Sequence, residues 1–286
     1  ENTLMARKNK KVVRRRHFRR IPRLKGQTVN RMVPNFITIC ALAAGLTAVR
    51  FAIMSEWMHA VTAILVAAVL DALDGRMARL LKAASKFGAE LDSLSDVIAF
   101  GVAPAFVVYL WALQDIGDYG WVAGLFFTVC CALRLARFNI TELPPYAYNY
   151  FIGMPAPAGA CMCILPMVLT FQFGDSFVGE QWMVGVWIVT VGICMVSHLP
   201  TYSFKRFKVP HGFVLPVLAC GGLVVAALVI NPWLTLSIVA GIYITTIPFA
   251  FLTRRRLEAE AAHIQEGDDF LNLSDTKTEQ DIKTTT

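Results

Sequence analysis

Apolar residues run in blocks of about twenty along this chain, separated by short polar or charged connections, and each block is long enough to cross a bilayer as one helix. The pattern predicts spans at residues 34–54, 58–80, 92–113, 120–138, 156–173, 181–199, 213–231 and 233–252. The expected fold class is therefore an all-α integral membrane protein, a polytopic helical bundle of about eight transmembrane helices. Four regions follow from the same pattern: an arm over residues 1–33, a membrane core over 34–199, two additional helices over 200–253, and a polar, acidic tail over 254–286 that is expected to be partly disordered.

Charge orients the helices. Lys and Arg fall on alternate connections: the arm, Arg76 to Lys86, Arg134 and Arg137, Lys205 to Lys208, and Arg254 to Arg256. The intervening connections near Ser55, Gln114 to Gly120, Gly174 to Gln181 and Asn231 to Trp233 carry none, so the basic ends are expected to face the cytoplasm, with both termini inside. Arg50, within the first span, is expected to snorkel to the outer interface. Twelve of the 27 Lys and Arg residues lie between Arg7 and Arg31, which accounts for much of the formal +7. Beside a membrane span that arm fixes topology or attracts anionic headgroups, and no nucleic-acid partner is expected. The seven cysteines sit inside apolar blocks without metal-type spacing and are read as packing residues. Met5 offers a start preceded by four residues, and the first apolar block lacks a convincing cleavage site for a signal peptide.

Ionisable groups at membrane depth are costly, and four aspartates break the pattern between the second and third spans. Asp71 and Asp74 are three apart, and Asp92 and Asp96 four apart, so each pair shares one face of its helix. In a helical hairpin Asp71 and Asp96 lie one turn deeper than Asp74 and Asp92, and the four carboxylates can converge. So many negative groups in a low-dielectric site call for cations. All-oxygen ligands favour Mg²⁺ or Mn²⁺, and four carboxylates suffice for two ions acting on a displacement at phosphorus. Gly75 and Gly88 free space for a nucleotide, Ala78 keeps the surface shallow, and Arg79 can fork onto phosphate oxygens, whereas Arg76, Lys82 and Lys86 also fit as plain interfacial anchors. A divalent-cation transporter would use similar acids. The acids cluster at one face, however, and the two halves of the chain show no matching interrupted helices.

The segment fits DxxDGxxARx8GxxxDxxxD at all eight fixed positions, Asp71, Asp74, Gly75, Ala78, Arg79, Gly88, Asp92 and Asp96, and so resembles the signature of the CDP-alcohol phosphotransferase family. That resemblance implies a six-helix catalytic core, frequent homodimers, and displacement of CMP from a CDP-linked donor by an alcohol. It implies that Asp71, Asp74 and Asp92 ligate metal, that Asp96 helps to bind metal and acts as general base, and that Gly75, Ala78, Arg79 and Gly88 line the cytidine diphosphate site.

Softer likeness extends over roughly residues 30–200. The stretches VPNFITICALAAG, SDVIAFGVAPA, ALRLARFN and FIGMPAPAGA resemble the membrane-embedded bacterial phosphatidylserine synthases within that family. This implies CDP-diacylglycerol and L-serine as substrates, membrane lipids as surroundings, and a site at the cytoplasmic face of a bacterial inner membrane. Another acceptor, such as glycerol phosphate, inositol phosphate or choline, stays open. Asn35 and Thr38, at the start of the first span, are placed to meet the donor nucleotide or simply to cap and pack. Arg134 and Arg137 share a helix face near the expected depth of the metals, and with Asn139 they are candidates for the lipid phosphate or the serine carboxylate.

Overall fold

In the computed structural model, residues 29–83, 85–140, 150–174, 180–197, 200–202 and 214–246 are described. The basic arm before residue 29, the Lys205 to Lys208 connection and the tail lie outside them.

Helix α1 (Val29–Ile53) and helix α2 (Trp57–Leu80) pack along their length, joined by a turn in which Ser55 takes a φ of 59°. Their contact is made by small side chains. Ala41, Ala48, Ala52, Ala60 and Ala67 are all buried, which lets two helices approach closely where lipid offers no hydrophobic driving force. At Gly45 the same closeness extends to the backbone around Ala99, since a Cβ there would sit 2.8 Å from Ala99 Cα. Pro34 lies inside α1, because the helix starts at Val29 and not at the predicted residue 34.

Helix α3 (Lys86–Ile116) is a continuous 31-residue rod that begins before its predicted start at 92. It is regular through Asp96 and then widens into a π turn over Val97–Val102, where the Ala103 N–H reaches back five residues to the Ile98 carbonyl. Pro104 follows directly. It has no N–H for the carbonyl of Phe100, which removes one α-type bond at this point. A second π turn at Tyr109–Leu113 leads to Gly117, whose φ of 67° reverses the chain. Helix α4 (Asp118–Ile140) then returns, with Gly120 pressed against the Leu113 carbonyl.

The predicted span 156–173 is broken. Helices α5 (Ala156–Cys163) and α6 (Leu165–Phe173) meet at 41°, because Pro166 cannot donate to the Met162 carbonyl. Trp187 Nε1 on helix α7 (Gln181–Val196) donates to that carbonyl at 2.7 Å, so the break leaves no unmet acceptor there. Helix α8 (Val214–Ile230) exposes nearly all its side chains. Helix α9 (Pro232–Thr246) instead turns Trp233, Leu236, Ala240 and Tyr243, a stripe at helical spacing, onto the core, where Trp233 packs edge-on against Phe171.

Among the described residues four helices, α1 to α4, are long and apolar enough to cross a membrane, or five if the bent α5–α6 pair is one span; α7, α8 and α9 are shorter apolar helices. The chain is thus a multi-pass membrane protein. Exposed Phe36, Leu46, Val69, Trp121 and Val186 suit its lipid-facing surface, while Ile64, Phe100, Phe127, Ile188 and Met195 fill the interior. Among the described residues the all-α expectation has one exception. Strand β1 (Tyr150–Ile152) pairs antiparallel with β2 (Pro200–Tyr202), tying the connection after α4 to the one after α7.

Candidate active site

The end of α2 and the start of α3 form a tight hairpin at one end of the bundle. Lys82 turns the chain with a φ of 49°, and the Ala83 N–H bonds the Ala78 carbonyl at 2.9 Å. Ser85 then caps α3, its Oγ accepting the Gly88 N–H at 3.0 Å. This hairpin brings the aspartates together. Asp71, Asp74 and Asp92 each offer a carboxylate oxygen within 4.8 Å of the others. Asp96 lies one turn further along α3 and outside that group of three, with its carboxyl in hydrogen-bonding reach of Asp71. The pairing of deep with deep and shallow with shallow is the one that antiparallel helices require.

Asp74 is the most enclosed, at 4% exposure, and its Oδ2 lies 2.6 Å from Thr38 Oγ1. The hydroxyl also approaches the Pro34 carbonyl at 3.1 Å; it has one proton, and the shorter contact to the acid takes it. Ser95, on the third face of this contact, directs its hydroxyl to the Thr38 carbonyl at 3.3 Å. Thus α1 holds α2 and α3 through Thr38.

A cleft opens beside the acids, lined by Asn35, Thr38, Asp74, Gly75, Ala78, Ser85, Gly88, Ala89 and Asp92. The two signature glycines play different parts in it. A Cβ on Gly75 would meet nothing within 4 Å, so the missing side chain leaves open space. At Gly88 a Cβ would come 2.8 Å from Asn35 Oδ1 and 3.1 Å from Ser85 Oγ, so that glycine leaves room for the Asn35 amide of α1 and the Ser85 cap. Arg79 folds back along α2, its Nε donating to the Gly75 carbonyl at 3.0 Å.

The donor set fits a divalent cation. All candidate ligands are hard carboxylate oxygens, and Asp92 Oδ1 is buried without a hydrogen-bond partner, a costly state for a charged group unless a cation meets it. The cluster can hold a metal ion through Asp71, Asp74 and Asp92.

The remaining candidates come from α4. Arg134 is half-buried and its Nε has no partner among the described residues; Asp96, Cys131 and Tyr243 are its electrostatic neighbours. Arg137 is half-buried and already engaged by a neighbouring group. Asn139 is exposed and donates from Nδ2 to Ser93 Oγ at 2.9 Å, fastening the end of α4 to α3. Ser85, Ser95 and Tyr243 were not foreseen from the sequence. Ser85 carried a usable signal as a serine just ahead of a helix start, whereas nothing local marks Tyr243.

A family model described as CDP-alcohol phosphatidyltransferase matches residues 31–194, which include the whole acidic hairpin and Arg134. The chain belongs to that family. A second model, CDP-alcohol phosphatidyltransferase 2, matches residues 213–248, the stretch of α8 and α9. Among similar proteins, the CDP-diacylglycerol--serine O-phosphatidyltransferase of Mycobacterium tuberculosis is 39% identical over 242 residues, 83% of each chain. The Helicobacter pylori protein of the same name is 34% identical over 213 residues, 74% of this chain and 88% of that one. The Methanocaldococcus jannaschii protein of that name is 32% identical over 177 residues, 61% and 77% respectively.

Proposed function

We propose that this protein is a phosphatidylserine synthase, which transfers the phosphatidyl group of CDP-diacylglycerol to the hydroxyl of L-serine and releases CMP. The observation that carries the reading is the convergence of Asp71, Asp74 and Asp92, with Asp96 in reach of Asp71, beside a cleft lined by Gly75 and Ala78, in a chain similar over most of its length to serine phosphatidyltransferases.

The residues divide the work by position. Gly75, Ala78 and Gly88 border the cleft where the cytidine diphosphate lies, Asn35 and Thr38 close its α1 side, and Arg79 takes phosphate oxygens in its planar fork. Asp71, Asp74 and Asp92 would hold two Mg²⁺ or Mn²⁺ ions, with Asp96 joined to the group through Asp71. A bound divalent ion supplies charge neutralisation for the diphosphate and for departing CMP. Thr38 keeps Asp74 oriented for that task. Asp96 accepts the proton of the serine hydroxyl as its oxygen bonds the phosphorus bearing diacylglycerol. The bond from that phosphorus to the CMP oxygen breaks, and CMP leaves with the electron pair. Arg134, with Arg137 and Asn139 at the same end of α4, answers the negative charge of the lipid phosphate or of the serine carboxylate.

The same reading takes the bent pair and the three shorter apolar helices as completing eight spans, of which the first six form the catalytic core. It sets the protein as a homodimer in a bacterial inner membrane, with the acidic end of the bundle at the cytoplasm, where serine arrives from water and the lipid laterally. The test is the product made by purified protein from CDP-diacylglycerol and labelled serine with Mg²⁺ or Mn²⁺, separated by thin-layer chromatography. Labelled phosphatidylserine with stoichiometric CMP is expected. Product only from glycerol phosphate, inositol phosphate or choline would reassign the acceptor, and ion flux without CMP release would overturn the enzyme reading.

A further inference from the structure

Beyond the signature hairpin, two buried polar atoms are left without a partner among the described residues: Arg134 Nε on α4 and the Tyr243 hydroxyl on α9. The two side chains are electrostatic neighbours, and Arg134 is also a neighbour of Asp96. Tyr243 is held in place by the packing of its own helix, whose Trp233, Leu236 and Ala240 lie against the core. An N–H of a guanidinium can only donate, and a phenol O–H donates readily. Both atoms are buried and neither is satisfied among the described residues, a costly state that an anionic oxygen, the acceptor that suits both, would relieve.

We propose that Tyr243 and Arg134 form a subsite for the carboxylate of the amino-acid acceptor, so that α9 contributes a specificity residue to the active site. This rests on the reading of the protein as a serine phosphatidyltransferase. Arg134 lies within electrostatic reach of Asp96, the group that takes the acceptor's hydroxyl proton, so an acceptor held by its carboxylate at Arg134 and Tyr243 would present its hydroxyl toward the base. A non-reacting part of the substrate thereby orients the reacting part. An acceptor without a carboxylate leaves both donors unpaired, which is the strongest available means of rejecting it. Phosphate oxygens of the donor lipid are the other anionic source with the same chemistry.

The experiment compares wild type, Tyr243→Phe and Leu236→Ala in detergent or vesicles. For each, KM and kcat are measured separately for serine and for CDP-diacylglycerol, alongside serinol, which keeps the hydroxyl and amine but lacks the carboxylate. Tyr243→Phe keeps the ring that packs on the core and removes only the hydroxyl. The expected result is a rise of about tenfold or more in KM for serine, the loss of one hydrogen bond to a charged group, with KM for CDP-diacylglycerol and the weak serinol reaction unchanged. Leu236→Ala loosens the same helix with the hydroxyl retained, and is expected to lower thermal stability without that selective rise. A rise in KM for CDP-diacylglycerol would move the subsite to the lipid phosphate and overturn the proposal. So would unchanged serine kinetics, an equal loss with serinol, or the same selective rise in Leu236→Ala. Absence of any serine product in the wild type would instead refute the enzyme assignment itself.

Discussion

Alanine at the two signature glycines should separate catalysis from folding, because one glycine faces open space and the other a neighbouring helix. At Gly75 the new methyl meets no atom within 4 Å. Replacing glycine by alanine inside a helix gains up to about 1 kcal/mol, so Gly75→Ala should melt at the same temperature as wild type or slightly higher. Its methyl projects into the cleft assigned to the cytidine diphosphate, however, and overfilling a fitted site costs about 1–3 kcal/mol. That is about 5- to 150-fold in kcat/KM for CDP-diacylglycerol. At Gly88 the methyl would come 2.8 Å from Asn35 Oδ1, so Gly88→Ala must displace Asn35 or part α3 from α1, and should lose stability and activity together. The assay is initial-rate CMP release at several donor concentrations, paired with a thermal melt of the same preparation. Full activity in Gly75→Ala would refute the placement of the nucleotide, and a clear drop in its melting temperature would refute the claim that the position is sterically open.

Two further outcomes follow from the geometry. Asp96→Asn keeps the shape of the side chain but removes the proton acceptor, so donor binding with Mn²⁺ should persist while turnover nearly vanishes; Asp71→Asn should weaken metal-dependent donor binding as well, and near-wild-type turnover in Asp96→Asn would end its assignment as base. Trp187→Phe removes the indole donor from the Met162 carbonyl at the α5–α6 break, which should cost about 0.5–1.5 kcal/mol in stability without a selective change in either KM; an unchanged melting temperature would show that this bond is dispensable.

The membrane character and the acidic hairpin, with a carboxylate cluster able to hold a metal ion, were legible in the chain because each rests on local spacing. Twenty-residue apolar blocks give helices, and acids three or four apart on adjoining helices converge whatever the rest of the bundle does. The break at Ile164 was less legible: Pro166 was visible, but its effect depended on whether a donor such as Trp187 stood nearby to accept the bend. The start of α1 ahead of Pro34 and the extension of α3 back to Lys86 were missed because polar turns continuing an apolar helix carry no hydropathy signal. Tyr243 was out of reach for another reason. It lies 109 residues from Arg134 in sequence (243 − 134), and only tertiary packing brings the two together.

The π turn after Asp96 divides α3 into two lengths whose angular phases are independent. A regular helix advances about 100° per residue, so a single angular choice would govern Asp92 and Asp96 together with Phe100, Ala103 and Val107. The widened turn breaks that linkage. It lets the polar length point its carboxylates at α2 while the apolar length settles into the bundle at whatever rotation its own neighbours demand. The aim of the acids is thus insulated from substitutions in the deeper core, and it is exposed instead to changes in chain length: loss or gain of one residue between Val97 and Val102 would turn one half against the other by about 100°, a far larger disturbance to the site than most changes of side chain within the same segment.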